Sequence, residues 1–124
     1  MRREELYLSD IVETADAIAR YLAGVDQDAF LKDEEKRDAV LYKFIIMGEA
    51  AARLPKALRK RHPQVQWDDV TTFRNWAVHV YFGVKWEFVW AAATQDAPKL
   101  RGLVADILTK EFPDRLPFAK GEQS

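Results

Sequence analysis

Four side chains with complementary chemistry fall close together in the stretch RNWAVHVYFG, residues 74 to 83: the guanidinium of Arg74, the amide of Asn75, the imidazole of His79 and the phenol of Tyr81. Together they form a complete set for handling a phosphate ester. An imidazole near its ordinary pKa of ~6.5 can move a proton at neutral pH. A guanidinium can hold non-bridging oxygens bidentately as charge builds on them. This chemistry needs no metal, and two histidines with no cysteine give no zinc ligand set.

The spacing sets where these groups point. On an ideal helix with Arg74 at 0°, Tyr81 falls at about -20°, Val78 at about 40°, Asn75 at about 100° and His79 at about 140°. Val70, Phe73, Trp76, Ala77 and Val80 fill the opposite sector, the one expected to face a core. The polar groups therefore lie on the non-core side, with Val78 between them, which points to a second surface covering this face. A purely structural account of the same residues also stands: a partly exposed helix face, with Arg74 paired to a nearby acid and His79 favoured near a helix C-terminus.

The elements that must carry this strip are helical throughout. Leu8, Ile11, Val12, Ala15, Ile18, Ala19 and Leu22 recur at helical intervals up to Gly24. Asp26 is placed to cap a short turn carrying Phe30 and Leu31. Asp33 is placed to cap a long helix through Val40, Leu41, Phe44, Ile45, Gly48, Ala51 and Ala52, which ends near Leu54 because of Pro55. Its small residues around Gly48 would let another backbone come close. A short basic turn, KALRKR at 56 to 61, precedes His62-Pro63, and Asp68 or Asp69 is expected to open the helix that carries the strip as far as Gly83. A last helix is expected from about Val84 to Lys110, kinked or divided at Pro98. No alternation long enough for a sheet is present. The expected fold is all-α, an antiparallel bundle of about four to five helices over residues 1–111, with an irregular tail at 112–124.

Composition bounds the partners. Nineteen basic and twenty acidic residues give a net charge of -1, so any contact with nucleic acid must be local. The lack of cysteine, of a long apolar run and of a hydrophobic signal segment leads to the expectation of a cytoplasmic chain with no membrane contact.

The run from Arg74 through His79 to Tyr81 resembles the R-x4-H-x-Y signature of HEPN ribonucleases, and specifically the HepT toxins of HEPN/MNT toxin-antitoxin pairs. The segment IIMGEAAARL at 45 to 54 is similar to the family's I-G-E-A segment, and HPQVQWDDVTTFRNWAVHVYFGVKWEFVW follows the family's order of proline, tryptophan, motif and closing V-W. The resemblance runs from about residue 8 to residue 108; Lys85 departs from it, standing where relatives often carry an acid. It implies a HEPN-like bundle and an endoribonuclease that cleaves RNA by attack of the 2'-hydroxyl, without a cofactor of its own.

Under that resemblance His79 takes the acid/base role, Arg74 binds phosphate and stabilises the transition state, and Asn75 orients one or the other. Tyr81 contacts RNA and is also the acceptor of AMP from a cognate MNT-type nucleotidyltransferase antitoxin, which would itself use ATP and magnesium. One histidine per chain implies a homodimer that brings two copies of the motif to one cleft. The alternative is a non-catalytic HEPN-like helical dimer acting as a binding partner of the nucleotidyltransferase. Glu49 is a further candidate beside the cleft, either paired with an arginine or facing solvent. Lys56, Arg59, Lys60 and Arg61 are candidates for guiding RNA, or simply a solvated cluster. His62 reads as a loop residue, and Trp67, Trp76, Trp86 and Trp90 as core or interface residues.

Overall fold

Two aspartates lay down the first half of the chain. The Oδ1 of Asp26 accepts the Ala29 N–H at 2.9 Å and opens α2 (Gln27–Lys32), and the Oδ1 of Asp33 accepts the Lys36 N–H at 3.0 Å and opens α3 (Glu34–Ala52). Each satisfies a donor that the first helical turn leaves orphaned. A computed structural model of the chain describes residues 3–83 and 85–113, with Tyr81 described by its backbone alone. Before the two capped helices runs α1 (Arg3–Tyr21), whose Leu8, Ile11, Val12, Ala15 and Ile18 are buried against α3 and the last helix. The architecture is an all-α bundle, as the periodicity predicts.

One of the expected helices is broken where sequence periodicity implied continuity. The helix carrying the polar strip is three pieces: α5 (Trp67–Thr72), a 3-10 turn (Phe73–Asn75) and α6 (Trp76–Phe82). It starts at Trp67 behind Gln66, which makes no side-chain cap, so the expectation that Asp68 or Asp69 opens it is corrected. Both aspartates lie instead within the first turn, where the helix dipole favours their charge. Gly83 ends α6 with φ 147, a conformation side chains rarely adopt.

The final helix shows the opposite behaviour. Pro98 neither ends nor divides it: α7 (Trp86–Ala91), a π-helical segment (Ala92–Asp96) and α8 (Ala97–Glu111) follow without a gap. The Ala97 N–H bonds to the Ala92 carbonyl, one residue wider than an α-turn, and Pro98 then sits in the first turn of α8. There its missing N–H costs least. The short basic helix α4 (Lys56–Arg61) bridges α3 and α5.

The core lies between α1, α3 and α8, with Phe30, Phe44, Met47, Leu58, Ile107 and Leu108 fully enclosed. Trp67 is buried, and Trp76, Trp86 and Trp90 pack against the core from its edge. Phe112, at the start of the expected tail, is buried in that core; residues 114–124 of the tail lie outside the described residues. Among the described residues no helix is long and apolar enough to cross a membrane.

Candidate active site

The motif segment is clamped onto α3 by aromatic stacking and by one close backbone approach. The ring of Phe44 meets Phe73 at 4.8 Å and Trp76 at 5.0 Å between centroids, and Phe73 and Trp76 meet each other at 4.6 Å. Such aromatic pairs contribute about 0.5–1.5 kcal/mol each beyond the area they bury. One turn further along α3, Gly48 lies directly beneath the motif backbone. A Cβ placed there would stand 2.3 Å from the Arg74 nitrogen and 3.0 Å from the Phe73 carbonyl carbon. Glycine in mid-helix costs roughly 0.5–1 kcal/mol relative to alanine, and here it makes the close approach possible. The small residues of α3, noted from sequence as permitting close packing, therefore seat Arg74.

That seat brings Arg74 beside Glu49, the next residue of α3. The Nη1 of Arg74 stands 3.9 Å from the Oε1 of Glu49, with both side chains about half exposed. A contact this long and this wet holds little energy, about 0–1 kcal/mol, so the guanidinium can exchange its carboxylate for a phosphate at small cost. The structural expectation that Arg74 pairs with a nearby acid is thus met by Glu49.

The 3-10 turn changes the angular layout expected from an unbroken helix. Asn75 has φ -102 and ψ 5, in the sparsely populated bridge region. A 3-10 turn advances about 120° per residue against about 100° in an α-helix, so Arg74 swings roughly 40° further from His79 than the ideal wheel places it. Within one chain the two residues project from different elements: Arg74 from the turn toward α3, His79 from α6. Asn75, Val78 and His79 are exposed, Val78 at 60%. Ala77, expected on the core side, is also exposed, and Trp76 and Val80 are only half-buried. The backbone of Tyr81 lies in α6; its side chain is outside the described residues.

Sequence reading missed a second polar cluster. His62 is a loop residue as expected, but its imidazole is nearly buried and contacts the Glu111 carboxylate through Nε2. Arg61 donates to the same carboxylate through Nε at 3.0 Å and through a second nitrogen at 2.8 Å. Chiefly through those Arg61 bonds, Glu111 is held at about 2, below the usual 4.5. The Trp67 indole N–H donates to the His62 carbonyl at 2.9 Å, tying this cluster to the start of α5. No spacing rule links residues so far apart in the chain, so sequence offered no signal for it. Among the described residues no group of three or more His, Cys, Asp or Glu is arranged to hold a metal ion.

The sequence profile described as ribonuclease HepT-like matches residues 11–107, which includes both the Gly48-Glu49 seat and the Arg74–Tyr81 motif. The chain belongs to the HepT-like ribonuclease family. A protein of Caldanaerobacter subterraneus subsp. tengcongensis whose RNase assignment is inferred is 31% identical over 111 residues, covering 90% of this chain and 99% of that protein. A ribonuclease HepT, so named by inference, from Thermococcus cleftensis is 31% identical, covering 82% of this chain and 92% of its own length. A third relative, from Methanocaldococcus jannaschii and likewise an inferred RNase, is 29% identical over 81% of this chain and 92% of its own length. No solved structure matches. The HepT-like domain thus spans nearly all of the described helices, from within α1 to near the end of α8.

Proposed function

We propose that this HepT-like protein is an endoribonuclease toxin that cleaves RNA with the RNA's own 2'-hydroxyl as nucleophile. The observation that carries the reading is the seating of Arg74 on Gly48, which holds a guanidinium at the surface of the same segment that exposes Asn75 and His79. The reaction needs little more than this. A base takes the 2'-hydroxyl proton, the 2'-oxygen attacks the adjacent phosphorus, the bond from phosphorus to the 5'-oxygen breaks, and that oxygen takes a proton. The products are a 2',3'-cyclic phosphate and a 5'-hydroxyl end. His79 serves as proton donor or acceptor, Arg74 neutralises the charge gathering on the non-bridging oxygens, and Asn75 orients the phosphate or the imidazole.

Two motifs acting together would supply both the acid and the base. The projection of Arg74 and His79 from different elements of one chain supports a homodimer, in which the arginine of one copy comes near the histidine of the other. The exposed Val78 and Phe82, 60% and 79% accessible, supply apolar surface for such an interface beside the motif.

The proposed control is a cognate MNT-type nucleotidyltransferase that transfers AMP from ATP, with magnesium, to the Tyr81 hydroxyl. The added phosphate would occupy the anion site and compete for Arg74. The cytoplasm, where RNA and ATP are found, is the proposed location.

His79→Ala is expected to lower RNA cleavage by about 10²–10⁴-fold while the chain still self-associates in sedimentation. Undiminished cleavage by that variant would overturn the assignment of His79. Incubation with the cognate nucleotidyltransferase, ATP and magnesium should add AMP to Tyr81 by mass spectrometry and silence cleavage; an unmodified Tyr81 would remove the control step alone. The non-catalytic reading draws on the Glu49 carboxylate already facing Arg74, and it predicts no cleavage by the native chain at all.

A further inference from the structure

Helix α4 carries four cations in six residues, KALRKR, and no acid, in a chain whose net charge is -1. Its members are not equivalent. Arg61 turns to Glu111 and is spent on that carboxylate together with His62. Lys56, Arg59 and Lys60 instead line an open groove of about 460 Å³, whose other wall is Val65, Gln66, Trp67 and Asp68. Three cations thus face one carboxylate. Among the described residues none of the three makes an ion pair, and the Nε of Arg59 is buried without a hydrogen-bond acceptor. A donor left this way costs free energy until an acceptor arrives.

The groove is also placed on the path to the motif. Gln66 precedes and Trp67 begins α5, which runs directly into the turn that carries Arg74. Seven residues at a rise of about 1.5 Å put Arg74 about 11 Å from the groove wall, or about three nucleotides at the ~3.4 Å rise of a stacked strand.

We infer that the groove between α4 and the start of α5 is a subsite for the RNA backbone, with Lys56, Arg59 and Lys60 holding phosphates a few nucleotides away from the one at Arg74. The inference rests on the RNA-cleaving reading for its choice of ligand, and the two can fail separately. The subsite gives the enzyme grip on a strand without reading its bases, since lysine and arginine contacts to phosphate position a nucleic acid and carry no sequence information. The Arg61–His62–Glu111 cluster at the end of α4 braces this wall by fixing its last residue to α8 and, through the His62 carbonyl, to Trp67.

The test uses the full chain with His79→Ala, which binds without cutting, and a fluorescein-labelled unstructured 12-nucleotide RNA. Anisotropy is followed from low to high salt, with and without Lys56→Gln, Arg59→Gln and Lys60→Gln together. Losing three phosphate contacts should flatten the plot of log affinity against log salt by about 2 and weaken binding roughly tenfold or more at low salt. The double variant Lys56→Gln with Lys60→Gln leaves the half-buried Arg59 packing intact and should show about two thirds of the change in slope. With His79 intact, the triple variant should lose efficiency on the 12-nucleotide RNA by a much larger factor than on a dinucleotide.

An unchanged salt slope overturns the subsite, as does an equal loss on dinucleotide and long RNA. So does a triple variant that keeps its RNA affinity and loses only its hold on the nucleotidyltransferase, because the groove would then be a protein-docking face. Groove-dependent RNA binding by a chain that cuts nothing would sustain the subsite and remove the nuclease reading.

Discussion

Helices α3 and α6 touch, yet they are built on different terms. Helix α3 buries Val40, Phe44, Met47, Ala50 and Ala51 and is capped by a side chain at its start. Helix α6 has no fully buried residue among those described, no side-chain cap, and exposed apolar groups at Val78 and Phe82. One is held by its own buried face, the other by its attachment at one end, where Phe73, Trp76 and the Arg74 backbone dock on Phe44 and Gly48. The lesson is that the motif strip gains its position from α3, on which Phe73 and Trp76 pack, while Asn75, Val78 and His79 stay exposed.

The sharpest way to break this comparison is to alter the docking point. Gly48→Ala would set a methyl group against the Arg74 backbone nitrogen, which has no flexible end to move aside. Overpacking of this kind costs about 1–3 kcal/mol, outweighing the gain of up to ~1 kcal/mol that alanine brings to a helix interior. The matched control is Gly102→Ala in α8, where nothing lies within 4 Å of the new methyl group. There the helix gain should appear undiluted, up to ~1 kcal/mol. Urea unfolding of both variants should therefore give opposite signs. Equal stabilisation by the two would show that α3 does not grip the motif turn.

How far sequence reached follows the same division. The caps at Asp26 and Asp33, the stripe of α1 and the close-packing role of the α3 small residues were legible because each is a local rule, set by a few neighbours. The break at 73–75 was not, since apolar spacing stays in phase across a short 3-10 turn while the backbone does not. Ala77 was misplaced for that reason: a wheel drawn through the break assigns it to the core. Pro98 misled in the other direction, because a π-turn just before it absorbs the lost hydrogen bond. Within the candidate site, the residue types at Arg74, Asn75 and His79 were legible, whereas the Phe44 buttress and the Glu111 cluster depend on contacts between distant parts of the chain.

That cluster allows a second, smaller contrast between the braced wall of the basic groove and the loosely held motif. Glu111 is a stronger acid folded than unfolded, about 2 against 4.5. Its contribution to stability is therefore fully present above the unfolded value and is lost as pH falls from about 5 toward 2. Chemical unfolding of the native chain and Glu111→Gln should differ at pH 6 and converge by the acid end of that window. Glu49, whose contact with Arg74 is long and half exposed, should change the unfolding free energy at pH 6 by no more than about 1 kcal/mol when changed to Gln. A native chain no more acid-sensitive than Glu111→Gln would mean that the wall is not braced by this carboxylate.

The smallest effect is expected at the exposed Val78, and it tests whether the chain self-associates through α6. Val78 is 60% exposed and contributes little packing within one chain, so Val78→Ser should change the unfolding free energy by no more than about 0.5 kcal/mol at protein concentrations too low for association. If α6 forms the seam of a homodimer, raising the concentration should stabilise the native chain by mass action and stabilise the variant less. The gap between the two should thus widen with concentration and track the dimer fraction seen in sedimentation. A gap already large in the dilute chain would mean that Val78 is packed within its own fold, and α6 would then resemble α3 after all.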